Sequence, residues 1–154
     1  MPYFIEDCIL KKYTGNDTHF NIPEGVTEIG RLACNGSLNL TSITVPSGVT
    51  RIDDLGFAHC FNLTSIAIAD SVTSFGKFIF KHCTSLCEIT IPKGVTKIET
   101  MTFNKCIKLT KITIPEGVTE IGDKAFLRCT SLPSVVIPNS VMSMGLMCLR
   151  IAPV

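Results

Sequence analysis

The 154-residue chain has no tryptophan, only two tyrosines and just 7% aromatic residues overall. It therefore lacks the large amphipathic anchors that dominate strong interfaces. It has no run of about 18 apolar residues, so nothing in it reads as a membrane-spanning helix. Its N-terminus, Met1-Pro2-Tyr3-Phe4-Ile5-Glu6-Asp7, has no basic stretch followed by an apolar one, so it does not read as a secretion signal. Charge of either sign is also scarce in net terms. Fourteen Lys and Arg against thirteen Asp and Glu leave +1, with no overall pull toward nucleic acid or anionic lipid. Glycines are not clustered into a phosphate-binding loop, and no carboxylates pair by spacing for acid–base chemistry.

What is present is repetition. The phrase running from Leu109 to Ser131 carries Leu109, Ile112, Ile114, Pro115, Gly117, Val118, Thr119, Ile121, Gly122, Phe126 and Cys129, and it returns every 23 residues. The Ile-Pro slot falls at Ile22-Pro23, Val45-Pro46, Ile91-Pro92, Ile114-Pro115 and Ile137-Pro138, with one altered copy at Ile68-Ala69. The Val-Thr slot falls at Val26, Val49, Val72, Val95 and Val118, and Met142 follows Val141 in the last copy. Six copies occupy 17–154 and leave 1–16 outside the period. A fixed period of this length marks a solenoid in which one small unit stacks on the next. A chain that is 45% hydrophobic can bury a continuous core that way.

Each coil reads alike. Leu40-x-x-Ile43-x-Val45 alternates as a strand. Pro46 and Gly48 then turn the chain, and Val49-Thr50-x-Ile52 crosses the opposite side as a second extended piece. From Asp53 to Cys60, the three-residue spacing of Phe57 and Cys60 predicts a single helical turn with both facing inward. Residues 1–16 are expected to form a hairpin of Tyr3–Ile5 and Cys8–Tyr13, joined at Glu6-Asp7. The hairpin covers the first coil, whose edge has no neighbour.

The end copies are degraded. Asp17, Phe20, Cys34 and Ser37 stand in the Leu, Ile, Phe and Cys slots of the first, while Met142, Met144, Leu149 and Ala152 replace consensus residues in the last. The apolar tail Met142, Met144, Leu146, Met147 and Leu149 has no recognisable cap, so the last coil is expected to fray or to bury itself against a second copy.

This pattern, L-x-x-I-x-I-P-x-x-V-T-x-I-G-x-x-x-F-x-x-C-x-x, resembles the BspA-like, or Treponema pallidum-type, class of leucine-rich repeats, and Phe4 to Tyr13 resembles the cap that precedes such repeats. The resemblance implies an α/β-type repeat solenoid, mostly β: a right-handed leucine-rich-repeat arc with a parallel sheet on its concave side, six coils and an N-terminal β-hairpin cap. It implies an interaction module of bacterial type without catalytic residues. With Met1 as the native start the chain is expected in the cytoplasm; as a trimmed piece it is expected at the cell surface or secreted.

The outward strand slots form columns: Asn21, Thr44, Ala67, Thr90, Thr113, Val136; His19, Ser42, Ser65, Glu88, Lys111, Ser134; and Thr18, Thr41, Thr64, Cys87, Thr110, Pro133. From these, Ser42, Thr44, Ser65, Glu88, Thr90, Lys111 and Thr113 are the candidate binding residues for a protein or glycan partner, set against the plain reading of threonine as a solvated strand residue. A homodimer through the C-terminal coil is the alternative. Glu28 with Arg51, Glu88 with Lys111, and Lys97 with Glu120 are expected as exposed ladder pairs.

Cys60, Cys83, Cys106 and Cys129 recur in one slot, which reads as a ladder of buried, reduced thiols. Four sulfurs in line do not make a zinc tetrahedron, and neither metal nor cofactor is expected. His59-Cys60 and His82-Cys83 would point apart. Cys87 is the thiol most open to modification. The edge carrying His59, His82, Lys105 and Arg128, with Lys81, Lys108 and Arg150, is locally basic. It has no interleaved aromatics to stack bases, which argues against nucleic acid.

Overall fold

A computed structural model of the chain describes residues 1–147. Leu149, Ala152 and Arg150 lie outside them. The expected hairpin is present as β1 (Tyr3–Glu6) and β2 (Ile9–Tyr13), paired antiparallel. Its turn is Asp7-Cys8, one residue later than the sequence suggested. Both turn residues have positive φ, 51° and 60°, the arrangement of a two-residue turn whose twist matches the flanking strands. Tyr3 and Tyr13 lie on Phe20, with ring centroids 5.9 and 4.3 Å away. The Tyr13 hydroxyl donates to Asp17 at 2.9 Å, so the cap is tied to the first coil at both its apolar and polar ends.

Coils 1 to 5 then each contribute one short strand to each of two sides, and coil 6 contributes one to the second side. The first side holds β3 (His19–Asn21), β5 (Ser42–Val45), β7 (Ser65–Ile68), β9 (Glu88–Thr90) and β11 (Lys111–Thr113). The second holds β4 (Glu28–Ile29), β6 (Arg51–Ile52), β8 (Ser74–Phe75), β10 (Lys97–Ile98), β12 (Glu120–Ile121) and β13 (Ser143–Met144), continued outward by β2. Pairing between coils is parallel, and partners differ by 23 residues, as in Ile43 with Ile66 and Ile98 with Ile121. The stacking of like on like is clearest in the core. Phe57, Phe80, Phe103 and Phe126 are fully buried. Successive rings are 5.7, 5.5 and 5.5 Å apart and within 12° of parallel.

The third side departs from expectation. No helix occurs among the described residues. From Asp53 to Cys60 the backbone N–H groups alternate their partners. Gly56 and Ala58 donate to the carbonyls three residues back, both at 3.1 Å, whereas Leu55, Phe57 and His59 donate to Lys77, Ile79 and Lys81 of the next coil. A helix is ruled out because two slots per coil are left-handed. One slot holds Leu32, Leu55, Phe78, Met101, Lys124 and Met147, with φ of 54° to 62°. The other holds Gly36, His59, His82, Lys105 and Arg128, with the four non-glycine residues at 58° to 65°. Phe57 and Cys60 still both face inward, but through tandem turns.

Coil 6 also differs. Residues 132–138 form no strand on the first side. In the preceding coils the N–H of Thr41, Thr64, Cys87 and Thr110 each donates to the carbonyl 23 residues back. Pro133 occupies that slot in coil 6 and has no N–H to give. The coil still docks on the second side, where Met142 and Gly145 donate to Thr119 and Ile121.

Both sheets are interrupted between coils 3 and 4. On the first side β3-β5-β7 forms one sheet and β9-β11 another; on the second, the ladder ends at β8 and restarts at β10. Thr50, Thr73 and Thr119 each donate to the preceding coil's threonine, and Gly76 and Gly122 donate to Ile52 and Ile98, but the corresponding bonds from Thr96 and Glu99 are missing. The third side crosses the same boundary unbroken, with Phe78, Phe80 and His82 donating to Thr100, Thr102 and Asn104. Coil 3 is the altered copy. Phe75 fills a slot that holds Ile52, Ile98 and Ile121 elsewhere, and its ring stands edge-on to Phe80 at 6.3 Å. The extra volume wedges the second side open, since a close-packed core takes up added atoms only by shifting its neighbours. In native-state hydrogen exchange the amides of Thr96 and Glu99 should exchange faster than those of Thr119 and Gly122. Equal protection would mean the two halves are continuously laddered.

Candidate functional site

The seam opens a cleft of about 460 Å³ on the first side, lined by Ser65, Ile66, Ala67, Ile68, Glu88, Ile89, Thr90, Lys111 and Thr113. Strand alternation sends Ser65 and Ala67 outward from β7, Glu88 and Thr90 from β9, and Lys111 and Thr113 from β11. All six are exposed. Beneath them the inward residues Ile66 and Ile68 are half-buried against the core, whereas their counterparts Ile43 and Val45 in the coil before are each only 2% exposed. The cleft therefore has an apolar floor, contributed chiefly by Ile66 and Ile68.

Five of the seven candidate binding residues line this cleft. Ser42 and Thr44 do not. Ser42 is half-buried and its hydroxyl is engaged by His19 Nδ1, while Thr44 is exposed on β5. Glu88 and Lys111 are register partners but, contrary to expectation, are not within ion-pair distance of each other. They leave one negative and one positive group on the cleft's lip. The other two expected pairs form: Arg51 with Glu28 at 3.7 Å and Lys97 with Glu120 at 3.1 Å.

The neighbouring threonine column has a structural role. Thr41, Thr64 and Thr110 Oγ1 donate to the carbonyls of Thr18, Thr41 and Cys87 at 3.0, 2.9 and 3.1 Å. These hydroxyls are already used to bind coil to coil. The residues missed by sequence reasoning are Ile66, Ala67, Ile68 and Ile89. The signal for three of them was present in the departures of coil 3 from consensus, Ala67 for Thr and Ile68-Ala69 for Ile-Pro.

The cysteine ladder is as expected. Cys60, Cys83, Cys106 and Cys129 are buried and unbridged. Each Sγ–H donates to a backbone carbonyl 26 residues back, on Cys34, Phe57, Phe80 and Phe103, at 3.1 to 3.2 Å. Burial pushes the thiols up, to about 11 for Cys60 and about 12 for Cys129, with Cys83 and Cys106 also held well above the ordinary thiol range. That is the opposite of an activated nucleophile. His59 and His82 face each other, ring centroids 5.0 Å apart, on the outside. Cys8 and Cys87 are exposed. Among the described residues no helix is long and apolar enough to cross a membrane.

Strands stacked at a 23-residue period over a phenylalanine and cysteine core define a leucine-rich-repeat solenoid. The family profile of the BspA type leucine rich repeat region matches residues 5–129 and 50–151, in six copies, and the chain belongs to this family. No match was found among the curated proteins. Among solved structures the chain is similar to a leucine-rich repeat protein from Eubacterium ventriosum, at 30% identity and a TM-score of 0.69, over 90% of this chain and 44% of that one. It is also similar to a leucine rich cell surface protein from Faecalibacterium prausnitzii, at 28% identity and a TM-score of 0.64, over 93% and 48%. The chain thus spans less than half the length of either. The T. pallidum leucine rich repeat protein shares the fold, at 24% identity and a TM-score of 0.70, over 97% and 86%.

Proposed function

We propose that the chain is a non-catalytic interaction scaffold that binds a protein or glycan on its Thr- and Ser-rich first sheet, with the cleft between β7 and β9 as the focus. The observation that carries this reading is the coincidence of three irregularities at one place: the altered coil, the interrupted ladder and the incompletely buried Ile66 and Ile68. An apolar floor beneath the hydroxyls of Ser65, Thr90 and Thr113, flanked by Glu88 and Lys111, is the mixture that recognition sites use. The floor contacts the apolar face of a sugar ring or side chain, and the rim orients it by hydrogen bonds. The lining has no Trp, Tyr or Arg anchor, so affinity per site is modest. The likeness to a leucine rich cell surface protein supports a place at the cell surface. The test is a glycan and peptide array probed with the full chain, followed by Ala67→Trp, which fills the cleft from an exposed position. Binding to the best ligand should fall at least tenfold. Undiminished binding by a folded variant would place the site elsewhere.

A second reading is self-association through the C-terminal coil. Met142 and Leu146 are 87% and 79% exposed, Met144 and Met147 are also exposed, and among the described residues β13 pairs on only one edge, with β12. An open edge beside exposed apolar side chains favours pairing with a second copy. Sedimentation should show a dimer that Met142→Lys with Leu146→Lys dissociates. A strict monomer across micromolar concentrations ends this reading.

A further inference from the structure

The third side of the solenoid carries a segregation of charge that the first sheet does not share. The turn segments 32–39, 55–62, 78–85, 101–108 and 124–131 contain no Asp or Glu at all. They hold Lys81, Lys105, Lys108, Lys124 and Arg128, together with His59 and His82. The remainder of the chain has nine Lys and Arg against all thirteen carboxylates, of which Asp53, Asp54, Glu99 and Asp123 border the turns, so a nearly neutral protein has one basic ridge. The unbroken turn ladder stacks these segments into a ridge. A groove of about 410 Å³ across coils 3 to 5 brings Lys81, His82, Lys105, Lys124 and Arg128 to one lining. None of the five ridge Lys and Arg is within ion-pair distance of a carboxylate among the described residues. The acids at the border are turned along the stack, Asp54 accepting from the Lys77 N–H and Asp123 from the Leu146 N–H. His82 is held below its ordinary range by burial and by Lys105, His59 and Lys81, with no acidic neighbour opposing them.

Backbone geometry adds a second observation. Lys105, Lys124 and Arg128 are left-handed, at φ 63°, 56° and 65°, a conformation that is unfavourable for any residue with a Cβ. Gly36 occupies the slot of Lys105 and Arg128 in coil 1, so glycine is compatible with the fold there. The same slot holds His59 and His82 in coils 2 and 3, so coils 2 to 5 carry His, His, Lys and Arg where glycine would sit with less strain.

We propose that this ridge is a binding surface for an anionic polysaccharide, a linear glycan bearing sulfate or carboxylate groups. Like residues recur along the ridge at the coil step of about 4.8 Å, close to the length of one sugar unit. A glycan laid along the stack therefore meets one cation per coil, Lys81 in coil 3, then Lys105 and Arg128, whose shared slot holds His59 and His82 in coils 2 and 3. Contrary to the expectation of no interleaved aromatics, the ridge carries exposed Phe61 and, beneath Lys81, Phe78; single-stranded nucleic acid still fits the groove less well, because its own lining has no Phe, Tyr or Trp for bases to stack on. This surface is separate from the cleft on the first sheet and does not depend on it.

The test uses heparin as the sulfated-glycan probe, with the full chain, by calorimetry at low and at physiological salt. Heparin should bind in a salt-sensitive manner. Lys105→Gly with Arg128→Gly should weaken binding at least tenfold while leaving the melting temperature equal or higher. Removing two charges elsewhere, Lys11→Gln with Lys93→Gln, should change affinity less than threefold, and so should Ala67→Trp. The proposal is overturned if the glycine variant binds heparin as well as the parent. It is also overturned if the Lys11 and Lys93 variant loses as much affinity as the ridge variant. Tighter binding of single-stranded DNA or of phosphatidylglycerol vesicles than of heparin, at matched charge, overturns it as well.

Discussion

Replacing Phe103 by alanine should lower the free energy of unfolding by about 3–5 kcal/mol, the range for deleting a buried aromatic side chain. The ring is fully buried and stacks on both Phe80 and Phe126, 5.5 Å away on each side, so its removal leaves two neighbours facing a void. The backbone here is equally committed. The Phe103 N–H donates to Ala125, and its carbonyl accepts from the Cys106 N–H and the Cys129 thiol. In a solenoid each coil touches only its neighbours, so stability is a chain of local terms. Phe103 lies just beyond the seam, where the strand ladders of both sheets are interrupted and the phenylalanine column and turn ladder, with the Cys87 N–H bond to Thr64, join the halves. The variant should therefore lose cooperativity as well as stability. Guanidinium unfolding followed by circular dichroism should broaden toward two steps, with coils 1–3 and coils 4–6 melting separately. Phe126→Ala, nearer the end of the stack, should cost less and keep a single step. A Phe103→Ala protein within about 1 kcal/mol of the parent would show that the column contributes little.

The second large effect is alkaline unfolding. Cys60 is raised from 9.0 to about 11 and Cys129 to about 12, chiefly by burial, and Tyr13 is raised from 10.0 to about 12 by burial and its bond to Asp17. For an acid whose folded value is raised, the native state holds its proton more tightly than the unfolded chain does. The stabilisation is complete below pH 9 and is lost as pH climbs through the folded values. A pKa higher by two in the folded state corresponds to about 3 kcal/mol for one thiol, and the ladder has four buried thiols. Stability measured by urea should thus be flat from pH 7 to 8.5 and fall steeply between about pH 9.5 and 12. Cys60→Ala with Cys129→Ala should soften that fall even though each substitution costs some packing at neutral pH. An identical alkaline limb in the variant would mean the thiols do not carry it.

The fold was legible because its information is periodic. Val-Thr, Ile-Pro, Phe and Cys recur at one spacing, and each slot reappears as a physical column. What was not legible lies in backbone geometry that composition does not encode. Phe57 and Cys60 are three apart in a helical turn and equally three apart across tandem turns; the left-handed residues that decide between them include Leu55, His59 and Phe78, none of which signals positive φ by type. Only Gly36 gave a hint. The candidate site was half legible. Ser65, Glu88, Thr90, Lys111 and Thr113 followed from strand alternation, but the cleft lies where the ladders between coils 3 and 4 are interrupted, and that place coincides with Phe75 in an isoleucine slot and with Ala67 and Ala69 in coil 3. These departures look like neutral drift in the sequence and become structural only when stacked. Pro133 acts in the same way: it is an ordinary substitution in one coil, yet it removes the N–H that Thr41, Thr64, Cys87 and Thr110 use to join the preceding coil.

Fold, cleft and ridge all require that identical slots pile into continuous columns along the stack. Nuclear Overhauser spectroscopy on protein labelled only in its phenylalanine rings tests this directly. Strong ring-to-ring effects are predicted for Phe57 with Phe80, Phe80 with Phe103, and Phe103 with Phe126, and none between Phe57 and Phe126. Absence of those sequential contacts, or contacts linking the first and last rings, would contradict it.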